Sequence, residues 1–262
     1  RLSDYLHDYT ENKFYSLEPV KTDINNNFRC LGIDACMGKW VAVYITEDYF
    51  EVEKFNTIKD ICKRYSDAES FIIDIPIGLV ESKSDIRPER FARKELGKKG
   101  SSIFEVPCRQ AVYAEGKEAA REENIDVLGK SLSEQTLGIT KAIKQVDEFL
   151  QSNPKWKNKL VESHPEFCFS KLNGNRPVLE NKKTNEGQQK RLEIIRTYYP
   201  DGNKVVDKFL ADVPSRKKID DVVDALCLAV MGKIILEKGL KSIPETPTMD
   251  AKGLMMQMVY AE

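Results

Sequence analysis

The sequence predicts an α/β fold in which a mixed sheet is covered by helices, and three observations carry that expectation. Three β-rich runs follow one another at residues 28–55, with only short turns between them. Helical stretches and short apolar runs then alternate, as they do where parallel strands need crossover connections. A strongly periodic helix at residues 219–238 closes the series.

The elements follow in order. Residues 1–27 are polar and irregular, and are expected to form an arm outside the domain that is available to a protein partner. The first strand is read at 28–34 (FRCLGID) and the second at 40–46 (WVAVYIT). In the third, at 49–55, Phe50 and Val52 alternate with Glu51 and Glu53. Together they make an antiparallel meander. A helix at 57–65 follows, with Thr57 as N-cap and Ile58, Ile61 and Cys62 on one face. The run SFIID at 70–74 fits a buried strand, stopped by Pro76 and Gly78. Residues 81–109 form loop and short helix, rich in Lys and Arg, before two helices at 109–122 and 133–150. A short strand at 160–163 ends at His164-Pro165. Residues 166–215 are helices and loops, broken at 173–175. In the closing helix Ile219, Val222, Val223, Leu226, Val230 and Ile234 recur at helical spacing, and Gly239 stops it. A small strand is expected at 254–260.

The order β-β-β-α-β-(helical insertion)-β-α finds its simplest home in a ribonuclease-H-like mixed five-stranded sheet flanked by helices, with the first and fourth strands side by side. One domain is expected over 28–262, carrying a helical insertion at about 81–155.

Composition removes several function classes. No run of about 18 apolar residues occurs, so no membrane span is expected. The first residues lack an apolar stretch, so no secretory signal is expected there. Six cysteines are scattered without a C-x-x-C pair and read as reduced thiols of a cytoplasmic protein. Only His7 and His164 could join them, and no zinc-ligand spacing results. A net charge of −1 excludes a broadly basic surface for nucleic acid and leaves room for a local basic groove.

The chemistry sits in the acids. Asp34 and Asp74 each follow an apolar strand run, where an isolated carboxylate is costly to bury. Adjacent strand ends would place them a few ångströms apart, and like charges at that distance call for a proton or a metal. The run DDVVDA adds Asp221 and Asp224 near the start of the last helix, with Asp224 flanked by apolar neighbours. Oxygen-only ligand sets suit Mg²⁺ or Mn²⁺. Metal ligands are therefore expected at Asp34, Asp74, Asp221 and Asp224, with Glu162 as a further ligand or base-orienting carboxylate and His164 as a proton shuttle. Each has a bland alternative as turn former, helix cap or solvated charge. The combination outweighs them, and Asp224, inside a helix among apolar residues, is the hardest to explain structurally.

Eight segments resemble the group called domain of unknown function 429, whose members are predicted to be ribonuclease-H-like nucleases. They are GIDACMGKW (32–40), IDIPIGL (73–79), RPERFARKELG (87–97), SIFEVPCR (102–109), LSEQ (132–135), ESHPEFCF (162–169), KKTNEGQQKR (182–191) and DDVVDALCLA (220–229). The resemblance spans about residues 30–260 and departs from the group at Ala35 and Lys39, where glycine is usual. It implies a metal-dependent nuclease acting on DNA or RNA. Arg87, Arg93, Arg109 and Lys183 are expected to bind substrate phosphates, Arg109 and Lys183 foremost because they fall in the matching segments. Lys182 and Arg191 stand beside them as further basic residues. Ser133 and Gln135 are open between a helix cap and a substrate contact, and Trp40 and Phe104 are expected in the core. The alternative function is a catalytically inactive ribonuclease-H-like scaffold. An ATP-using phosphotransferase is disfavoured, since no second β-meander and no Gly-Gly loop occur.

Overall fold

A computed structural model describes residues 27–36, 38–212 and 218–262. The expected amino-terminal arm, and any partner contact through it, lies almost wholly outside the described residues.

The meander forms as expected: β1 (Cys30–Cys36), β2 (Lys39–Ile45) and β3 (Phe50–Phe55) pair antiparallel in turn. Helix α1 (Ile58–Arg64) is capped by the Thr57 hydroxyl, which accepts from the Asp60 N–H. It leads to β4 (Ser70–Ile73), which runs parallel to β1. Between β4 and β5 (Leu160–Glu162) the chain passes through α2 (Glu89–Leu96), α3 (Arg109–Tyr113), α4 (Lys117–Leu128) and α5 (Glu134–Ser152). β5 then joins β4 in parallel. The sheet order β3-β2-β1-β4-β5 is the mixed five-stranded arrangement expected, with the first and fourth strands adjacent. Four helices follow: α6 (Pro165–Leu172), α7 (Asn185–Tyr198), α8 (Gly202–Asp212) and α9 (Ile219–Lys238). A hairpin of β6 (Lys241–Met249) and β7 (Met255–Tyr260) ends the described chain.

Three elements differ from the expectation. The helix read at 109–122 is two helices, because Gly116 adopts φ +91° between them and such a residue cannot continue an α-helix. β1 runs two residues past Asp34, since its pairing with β2 outlasts its pairing with β4. β6 was not anticipated. Its two prolines, Pro244 and Pro247, hide the strand pattern, and they are tolerated in a two-stranded ribbon whose register shifts between Ile243 and Thr248.

Strand alternation divides the core into two layers. Cys30, Cys36, Val41, Val43, Ile45 and Ile72 face α9. Leu31, Ile33, Ala42, Phe71 and Ile73 face the opposite side, where α1 and α5 contribute Ile58, Ile61, Ile143 and Val146. α9 is apolar nearly all round because it lies between the sheet and α6, α7 and α8. Among the described residues no helix is long and apolar enough to cross a membrane.

Candidate functional site

The approach of α9 to β1 sets the site. A Cβ on Gly32 would stand 1.9 Å from the Ala225 carbonyl oxygen and 2.5 Å from the Ala229 nitrogen, so only glycine allows this contact. Two residues along the strand, on the same face, comes Asp34; one residue before Ala225 comes Asp224. β4 supplies the third acid. Ile33 is in register with Ile73, and the Asp74 N–H donates to the Ile33 carbonyl at 2.9 Å, so Asp34 and Asp74 are neighbours on parallel strands. These lie at the carboxyl ends of β4 and of its pairing with β1, where open α/β sheets hold their ligands.

Asp34 and Asp224 are buried, Asp74 and Asp221 half-buried, and all are short of donors. Asp34 is 8% exposed and Asp224 only 1%. Asp34 Oδ1 accepts from the Ala35 N–H at 2.6 Å, and Asp224 Oδ2 accepts from Lys182 Nζ at 2.5 Å. Asp224 Oδ1 and Asp221 Oδ2 are buried without a hydrogen-bond partner. Burial, and then the fields of Asp74 and Asp224, push the Asp34 carboxyl well above its ordinary range. Asp74 is pushed up to about 7, chiefly by burial, and Asp224 also rises by burial against the opposing pull of Lys182.

Lys182 reaches this cluster from a loop built to hold it. The Thr184 N–H and hydroxyl both donate to the Asn181 carbonyl, and the Gly187 N–H donates to the Thr184 hydroxyl. A Cβ on Gly187 would fall 2.0 Å from that same Asn181 carbonyl oxygen. Arg191 Nη1 donates to the carbonyls of Glu180 and Gly187, while Nη2 grips both Glu166 oxygens at 2.6 and 2.8 Å. Lys183, the lysine expected at the substrate, is exposed and outside the cleft; its neighbour is the one that reaches the carboxylates.

A cleft of about 270 Å³ opens over the cluster. Asp34, Asp74, Asp221, Glu162, His164 and Lys182 border it, and the insertion contributes Phe104, Gln135 and Ile139 opposite. Ser133 proves to be the N-cap of α5, accepting from the Thr136 N–H, whereas Gln135 borders the cleft. Trp40 is in the core as expected, donating from Nε1 to Gln145; Phe104 is only half-buried and presents a wall of the cleft.

Five expected residues take roles other than those expected, two of them, Glu162 and His164, at the border of the cleft. Glu162 is in register with Ile73, so it faces away from α9 and does not join the aspartates. Its oxygens are held by Arg87 Nη2 at 2.8 and 2.9 Å and by the Ile77 N–H at 2.7 Å. Arg87 also pairs with Glu89 and donates to the Ile77 and Gly78 carbonyls, which leaves no free fork for a phosphate. Arg109 is likewise occupied, by Glu81 at 2.7 Å, Asp147 at 2.8 Å and Asp250. His164 caps α6 by accepting the Glu166 N–H at Nδ1 (3.2 Å). Burial and the Lys182 charge push its pKa down to about 4, so the ring is neutral at neutral pH and carries no proton to shuttle as imidazolium. Arg93 stays partly exposed, 3.8 Å from Glu105, beside the segment 103–106 rather than in the cleft.

Among the described residues, no three histidine, cysteine, aspartate or glutamate side chains are drawn together at metal-binding geometry; Asp224 is neutralised by Lys182 in this conformation. The carboxylate set still fits a hard divalent ion, because its donors are all oxygen and two of them are buried without a hydrogen bond, Asp221 Oδ2 having only Lys218 Nζ at 3.6 Å. Residues 32–249 match the family model described as protein of unknown function (DUF429). The chain belongs to the DUF429 family. The DUF429 match takes in every aspartate of the cluster and Lys182, and leaves β7 beyond its end. No curated protein and no solved structure matches the chain.

Proposed function

We propose that this DUF429 protein is a divalent-metal-dependent nuclease on a ribonuclease-H-like scaffold, hydrolysing phosphodiester bonds of DNA or RNA. The observation that carries the reading is the meeting of Asp34, Asp74 and Asp224, brought together from β1, β4 and α9 where Asp34 and Asp74 border the cleft, with a buried Asp224 oxygen left without a hydrogen-bond partner. Asp34, Asp74, Asp221 and Asp224 are the residues that would hold Mg²⁺ or Mn²⁺. Bound there, the ion supplies an activated water and charge neutralisation at phosphorus. Lys182 borders the cleft with a cation suited to a phosphate oxygen, and the Phe104 ring offers a face on which a base can stack. The Gln135 amide can donate to or accept from the substrate. The neutral His164 ring can orient a substrate or water. Six buried free thiols among the described residues suit a reducing compartment, and the cytoplasm is the proposed location.

The test is cleavage of single- and double-stranded DNA and RNA under Mg²⁺ or Mn²⁺ titration. An Asp34→Asn plus Asp224→Asn variant should lose activity by about a hundredfold or more. Cleavage unchanged in that variant overturns the assigned site. The Lys182–Asp224 ion pair favours one second reading, an inactive scaffold whose lysine permanently neutralises the acids. Calorimetry separates the two, since a scaffold of that kind takes up no Mn²⁺ at millimolar concentration.

A further inference from the structure

Lys182 is the one cation paired with Asp224 among the described residues. Its ammonium lies 2.5 Å from Asp224 Oδ2, and its charge is also felt at Asp34 and Asp74. The side chain is only partly buried and borders the cleft, whereas Asp224 is 1% exposed and keeps one oxygen unpartnered. The loop that carries it is braced by Gly187, Thr184 and the buried Arg191–Glu166 pair, so the backbone under Lys182 is fixed while its long side chain runs along the border of the cleft.

We infer that Lys182 is a displaceable counter-ion: its ammonium and a divalent cation compete for the Asp224 carboxylate. This rests on the metal-site reading above and adds the residue that sets the site's affinity. The physical reason is charge. Asp34, Asp74 and Asp224 are near enough to feel one another's charge, one ammonium neutralises one of them, and it can leave into the cleft without moving the backbone. A doubly charged ion then meets repulsion from the ammonium until the side chain swings away. Once released, the ammonium stands in the cleft, where it can meet a phosphate oxygen of the substrate.

The experiment is calorimetric titration of the full chain with Mn²⁺ alone. Lys182→Met should bind Mn²⁺ at least about tenfold more tightly than the wild type, because the competing charge is gone. Lys182→Gln keeps a hydrogen-bond donor for Asp224 and removes only the charge, so it should show the same gain if Lys182→Met folds poorly. Lys182→Arg should retain wild-type affinity, and Lys183→Met, which removes the same charge one residue away, should change it less than about twofold. Thermal unfolding adds a second readout: Lys182→Met should melt lower than wild type without metal and recover when Mn²⁺ is added. Wild-type Mn²⁺ binding with no gain in either neutral variant overturns the counter-ion role and leaves the metal site standing. Absence of Mn²⁺ binding in the wild type and in both neutral variants overturns both.

Discussion

Two groups of buried carboxylates lie on opposite faces of one sheet, and donors rather than charge distinguish them. Around Arg87 and Arg109 a single guanidinium serves several acids, yet nearly every oxygen is met. Glu162 has Arg87 and the Ile77 N–H, and Asp250 has Arg109 and the N–H groups of Leu79, Lys252 and Leu254. On the α9 face, Asp34 has one backbone donor, Asp224 one lysine, and among the described residues no hydrogen bond reaches the Asp74 carboxyl. A carboxylate saturated by donors is a strut of the fold. One left short of donors beside a cleft is where the proposed cation would be held.

The sharpest way to break this comparison is to remove a strut. Arg87→Ala leaves Glu89 and Glu162 buried without their guanidinium, and should cost about 3–5 kcal/mol in urea unfolding. Arg93→Ala, at a partly exposed pair, should stay within about 0.5 kcal/mol. Equal effects from the two would mean that burial and saturation do not matter here.

Next comes the contact that assembles the unsaturated group. Gly32→Ala forces a methyl against the Ala225 carbonyl and should destabilise by about 1–3 kcal/mol. It should also weaken Mn²⁺ binding although no acid is altered. A loss of stability with metal affinity intact would show that the close approach of β1 and α9 is not what gathers the aspartates.

The smallest effect is in pH. Asp74 is raised to about 7 in the folded state, so between pH about 4 and about 7 the folded protein holds more protons there than the unfolded chain. Metal-free stability from this group therefore falls as pH rises through that window. His164, lowered to about 4, acts in the opposite direction below its unfolded value. The difference between wild type and Asp74→Asn isolates the carboxyl. In chelator, the melting profile of Asp74→Asn should decline less from pH 6 to 7, by about 1 kcal/mol. Parallel profiles would remove Asp74 from the crowded group.

Much of the site was legible because its signals are local. An apolar run ending in aspartate marks Asp34 and Asp74, and an acid among Val222, Val223, Ala225 and Leu226 marks Asp224 on a periodic helix. The order of elements was enough to put β1 beside β4. Lys182 was harder to choose over Lys183, since adjacent lysines in a loop carry no periodicity; the packing of Gly187 on Asn181 selects one. Glu162 was misplaced for a related reason. Its strand has three residues, and only pairing with β4 decides which face each occupies.

The sequence by itself determined the α/β class, the meander, the long closing helix and the aspartates at the ends of apolar runs, because strand alternation and helical periodicity are written within a few neighbouring residues. Only the tertiary structure decided which acids are saturated and which are not. The donors that make the difference come from far along the chain: Arg87 meets Glu162 across 75 positions and Arg109 meets Asp250 across 141. No local pattern encodes such a meeting, and it exists only once strands, insertion and hairpin have packed together.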